Sequence, residues 1–124
     1  MAKAVIIKAS GTKELVEFEV GQSYELLSGA VGGYVEVVAL PTRRADLWLN
    51  EEGKLNNLPY NPIATSLFHD EHHTGDFIVG NVIITGGVDD EGETLGLDDE
   101  QVTALMGYDQ KLWTLGAFNR DSFF

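Results

Sequence analysis

The sequence predicts an α+β fold: a mixed, mainly antiparallel sheet of about five strands with two or three short helices. Three observations carry that expectation. Short runs rich in valine and isoleucine recur between glycine and asparagine turns, the pattern of strands. Other segments repeat apolar residues at helical spacing and open on Ser23, Asn61 or Asp98, side chains able to cap a helix N-terminus. Finally, 124 residues with 44% apolar content suffice for one core without staples, so residues 1–124 are expected to form a single domain.

Each element has its own reason. Lys3 to Ala9 places a β-branched centre between lysines, which suits a buried strand, and Ser10-Gly11-Thr12 turns the chain. Leu15 to Val20 fits a second strand with Val16, Phe18 and Val20 inward, so the two predict a hairpin. Ser23 then caps a helix carrying Tyr24, Leu27 and Val31, which Gly32 and Gly33 end. Tyr34 to Leu40 is apolar on both faces and therefore reads as a central strand; Pro41 stops it. Asp46 to Leu49 follows as a strand, and Asn50 to Lys54 as a turn with Gly53 available for a left-handed position. Asn61-Pro62 opens a short helix through about Phe68. His69 to Asp76 reads as a loop, and Phe77 to Thr85 as the strongest strand, interrupted at Gly80-Asn81. Asp98 with Gln101, and Leu97 with Val102, predict a capping box and hydrophobic staple for the last helix.

Charge bounds the partners. The formal net charge is −12, which would repel a phosphate backbone, so no direct nucleic-acid binding is expected; a basic protein surface is the complementary partner. The chain has no cysteine, which excludes disulfides and thiolate metal sites. Val5 to Ile7 is too short for a signal core or a membrane span, so a cytoplasmic protein without membrane contact is expected.

No pattern names a chemistry. His69, His72 and His73 hold all the imidazoles, but Asp70 stands where a paired-histidine zinc motif needs glutamate, and no third ligand is evident. No metal, cofactor or stoichiometric zinc is expected. The acidic loop from Asp89, with Glu100 twelfth, fails as a calcium loop because Thr94 occupies the glycine position. No serine has a nucleophile-elbow context, so no catalytic residue is assigned. The densest set of groups able to hold a small polar ligand is Glu36, Arg43, Asn50, Glu51, Lys54, Asn61 and Thr65, although turn and capping duties explain many of them.

The segments VGGYVE, NEEGKLNNLPYN followed by IAT, and DFIVGNVIITG resemble a family of small phage- and plasmid-borne proteins classed as a domain of unknown function. The likeness runs from about Leu15 to Glu100. It implies a small α+β fold and an accessory gene of a mobile element, acting in the host cytoplasm. The resulting expectation is a non-enzymatic protein that binds a host or defence component, either a basic protein surface or a small polar signalling ligand. The alternative is an enzyme acting on a nucleotide-like polar substrate, with Glu36 or Glu51 as base and Lys54 holding charge.

The last stretch, residues 108–124, carries Trp113, Leu115, Phe118, Phe123 and Phe124 and is expected to pack on the core or on a partner subunit. Several hundred Å² of apolar surface at ~25 cal/mol per Å² is worth several kcal/mol before ordering entropy, enough to support a homodimer that buries Trp113 and Phe118. Light scattering checks this expectation, which a monomeric intact protein would refute.

Overall fold

The first two strands close as expected. In the computed structural model, which describes residues 1–111, β1 (Ala2–Ile7) and β2 (Lys13–Phe18) pair antiparallel around a turn in which Gly11 takes φ +96°. Helix α1 (Tyr24–Val31) stops where Gly32 adopts φ +80°, a conformation open to a residue without a Cβ. Its Ser23 sits at the N-cap position but makes no side-chain capping bond. A second hairpin joins β3 (Val35–Leu40) to β4 (Ala45–Asn50) through a single 3₁₀ turn, Pro41–Arg43. Helix α2 (Pro62–Glu71) begins with Asn61 accepting the Ala64 N–H, then β5 (Val82–Gly86) and α3 (Asp99–Gly107) follow. Asp98 and Gln101 cap α3 reciprocally, as the spacing predicts.

The strand order is β2-β1-β5-β4-β3, and every pairing is antiparallel. Both hairpins contribute an inner strand, and β5 enters last in sequence between them. All five of its residues are buried, which explains why its run carries no charge. Side chains alternate across the sheet, so each face builds its own core. Val5, Ile7, Leu47, Val82 and Ile84 pack under α2 and α3, while Ala4, Ile6, Phe18 and Ile83 pack under Leu27 and Val31 of α1. The chain is thus a sheet with helices on both faces, and α1 carries it from the β2 edge to the β3 edge.

Several expectations are corrected. β3 is an edge strand, not a central one. Its two apolar faces arise because Val38 and Leu40 meet one core and Val35 the other, while Val37 is 46% exposed. Val20 points outward, beyond the end of β2. Helix α2 continues three residues past Phe68, so His69 is helical and the loop starts at His72. The run from Phe77 divides: Val79 bridges Tyr60, Gly80 turns at φ +78°, and only Val82–Gly86 joins the sheet. In the turn after β4 it is Asn57, at φ +54°, that takes the left-handed position assigned to Gly53.

No described helix is long and apolar enough to cross a membrane. At the C-terminal end Tyr108 packs against the core beneath α2. Trp113, Leu115, Phe118, Phe123 and Phe124 lie outside the described residues, and the expected dimer contact lies there with them. Because Tyr108 belongs to the core, a truncation that tests that contact ends at Lys111.

Candidate functional site

Beside the β3 edge, the turn after β4 faces the segment leading into β5. The turn is held from within: Asn50 Oδ1 accepts the Glu52 N–H at 2.8 Å, Gly53 N–H reaches Asn50 O at 3.1 Å, and Leu58 N–H reaches Gly53 O at 3.0 Å. Asn50 Nδ2 also donates to Val31 O at 3.2 Å, tying the turn to the end of α1. This framework presents Lys54, whose Nζ pairs with Asp76 and lies 4.4 Å from the centroid of the Phe77 ring. The Lys54 hydrogen bond holds the Asp76 carboxyl below the usual carboxylate range. Behind Lys54 is a cavity of about 180 Å³. Its apolar walls include Val38, Leu49, Leu55 and Phe68, and its polar groups include Glu36, Glu51, Lys54 and Asp76.

Of the seven predicted site residues, the fold brings Glu36, Asn50, Glu51 and Lys54 to this cavity. The other three stand elsewhere. Asn61 is fully buried, with Nδ2 donating to Ile7 O at 3.0 Å and Gly80 O at 2.9 Å. Thr65 accepts the Ile78 N–H at 2.9 Å and donates back to Ile78 O at 3.3 Å. Arg43 lies over the Tyr108 ring, 5.0 Å from its centroid, with Asp70 3.8 Å away. Asp76 and Phe77 complete the cavity; they open the DFIVGNVIITG segment, but nothing in that segment marks them as site residues, because Asp76 meets its partner 22 residues away.

Two neighbouring surfaces differ in character. A broad, open groove of about 620 Å³ runs past Tyr24, Ser28, Gly32, Tyr34 and Glu52. The histidines line a polar hollow, but two of their rings are engaged: His72 Nε2 donates to Ala39 O at 2.8 Å while stacking on Phe68, and His69 Nε2 donates to Asp76 O. Among the described residues, no group of three or more histidine or carboxylate side chains is placed to hold a metal ion.

Tyr108 anchors a half-buried polar network. Its hydroxyl donates to Asp70 Oδ2 at 2.9 Å and takes the Ser66 hydroxyl at 2.6 Å, and Ser66 Oγ accepts the Lys111 N–H at 3.2 Å. Burial, with the Asp70 carboxylate beside it, pushes the Tyr108 hydroxyl up to about 12. The protonated phenol is favoured by the folded state. Its contribution to stability is therefore complete below the unfolded value of about 10 and is lost as pH rises through about 12. Burial also raises the Tyr60 hydroxyl, so ultraviolet titration of the four tyrosines is expected to show Tyr108 as the last tyrosinate to form, near about 12, and that step is expected to be absent in Tyr108→Phe.

The fold and cavity define a small antiparallel α+β domain with an acidic, apolar-walled side pocket. The chain belongs to the family described as a domain of unknown function, DUF3846, whose profile matches residues 2–110. No curated protein and no solved structure gives a significant match.

Proposed function

We propose that this protein is a non-enzymatic binding module that docks a basic side chain of a protein partner in the Glu36–Glu51–Asp76 cavity. The observation that carries the reading is the cavity's charge against its size. Its lining has three carboxylates and one ammonium, and that ammonium is already paired with Asp76. A phosphate entering there would meet repulsion, whereas an arginine or lysine would lay its stem along Leu55 and Val38 and bring its charge to Glu36 and Glu51. At about 180 Å³ the cavity is also smaller than the roughly 300–1,000 Å³ of small-molecule sites, and suits one anchoring side chain. The same argument counts against the small signalling ligand and the nucleotide-like substrate. An accessory role for a phage or plasmid, directed at a basic host or defence protein in the cytoplasm, fits both this charge and the family resemblance.

Calorimetric titration with a short arginine-rich peptide tests the reading. Binding is expected to weaken with salt and to fall about tenfold, or ~1.4 kcal/mol, in the Glu36→Gln, Glu51→Gln double variant. Equal binding by the variant, or recovery of a bound anionic metabolite from the purified protein, would overturn it.

A further inference from the structure

The two edges of the sheet are not equivalent. β2 carries Lys13, Glu14 and Glu17, with Glu14 paired to Lys8 at 3.1 Å and Lys13 Nζ bonded to Met106 O at 3.0 Å, the charged kind of edge that resists a further strand. β3 reads Val-Glu-Val-Val-Ala-Leu, with one charge, no lysine, and proline only after its end.

The outward groups of β3 follow from its ladder. In an antiparallel pair, alternate residues turn N–H and C=O toward the partner strand and the rest turn them away. Tyr34 O accepts the Glu51 N–H at 2.9 Å and so faces the β4 side, while Ala39 O accepts from His72 and so faces outward. Val35 and Val37, in phase with Ala39, therefore direct their N–H and C=O groups off the edge. Among the described residues no hydrogen bond takes them. His72 closes the edge at Ala39, which leaves a window about Val35 and Val37.

Charge selects the occupant. Glu36 on the strand and Glu51 and Glu52 in the adjoining turn are exposed around this window. A second copy would bring the same carboxylates, and another net charge of −12, against them. A basic segment would neutralise them, and Glu36 belongs both to the strand and to the wall of the cavity. We infer that the outer edge of β3 takes up a short extended basic segment of a partner protein by strand addition, its backbone on Val35 and Val37 and a basic side chain in the cavity. This deepens the docking reading and rests on it.

The test uses the full chain and a synthetic peptide alternating arginine and valine, beside the same peptide N-methylated at alternate amides in both phases. Methylation removes backbone donors and leaves the charge. Binding is expected to fall at least tenfold on methylation, and hydrogen exchange at the Val35 and Val37 amides is expected to slow at least tenfold in the unmethylated complex. Val37→Pro, which removes an outward N–H and no ladder bond, is expected to remain folded and to lose binding to the same degree. If the methylated peptides bind as tightly and the two amides are unchanged, the edge inference is overturned while docking in the cavity stands. If no peptide binds, both readings fall. Concentration-dependent protection of these amides in the protein alone would assign the edge to a second copy and overturn the inference.

Discussion

Gly86→Ala is expected to destabilise the protein by about 3 kcal/mol, the upper part of the range for overpacking, because the added methyl would strike backbone. A Cβ there would lie 2.3 Å from Gly96 O and 3.1 Å from Leu95 O. The crowding has a topological cause. Pairing of β1 with β5 ends at Val5 and Ile84, and residues 95–97 bridge the two strands beyond it, with Gly86 N–H on Leu95 O at 2.9 Å and Leu97 N–H on Lys3 O at 2.8 Å. Gly96 is equally confined, since its own Cβ would lie 2.7 Å from Lys3 N. Urea unfolding of Gly86→Ala beside Gly87→Ala, a position with no atom within 4 Å of an added Cβ, separates contact from backbone entropy. Equal midpoints for the two variants would refute the account.

Asn61→Ala is expected to cost about 4 kcal/mol, a large share of the 5–15 kcal/mol typical of a whole domain. The side chain does three things at a site with no solvent access: Oδ1 caps α2 at Ala64 N, and Nδ2 satisfies Ile7 O and Gly80 O. Losing the cap is worth about 1 kcal/mol, and each buried carbonyl left without a donor adds roughly 1–3 kcal/mol. Asn61→Asp distinguishes the two duties. It keeps the capping oxygen but turns a carboxylate toward two carbonyls, so it is expected to unfold at least as readily as the alanine variant near neutral pH. Acid should partly restore it, because the carboxyl must then hold its proton more tightly folded than unfolded, and stability gained from such a group is present at low pH. Parity of Asn61→Asp with the native protein in urea would show that the cap alone matters.

Asn61 also marks how far the sequence reaches. Its role as the N-cap before Pro62 is legible because capping is local, and the Asp98–Gln101 box and the Gly32 stop are legible for the same reason. Its two other bonds are not, because they join residues 54 and 19 positions away. The candidate ligand set divides along that line. Glu36, Asn50, Glu51 and Lys54 converge because β3 and β4 form a hairpin whose far end carries the turn. Thr65 and Asn61 looked equally available for a ligand, but the fold turns their polar atoms to backbone.

The sequence by itself determined the kinds of element, their order and most of their ends, since caps, turns and side-chain alternation act over a few residues. It also determined the acidity that makes a basic partner complementary. Only the tertiary structure decided which strands lie inside. With helices on both faces of the sheet, an edge strand needs apolar residues on both sides as much as an inner one does, so the composition of Val35–Leu40 could not reveal that the strand lies at an edge, with Val35 and Val37 turning their backbone groups outward. The same holds for the cavity. Phe77 and Asp76 reach Lys54 because β5 inserts between the two hairpins, a pairing between distant segments that no local pattern encodes.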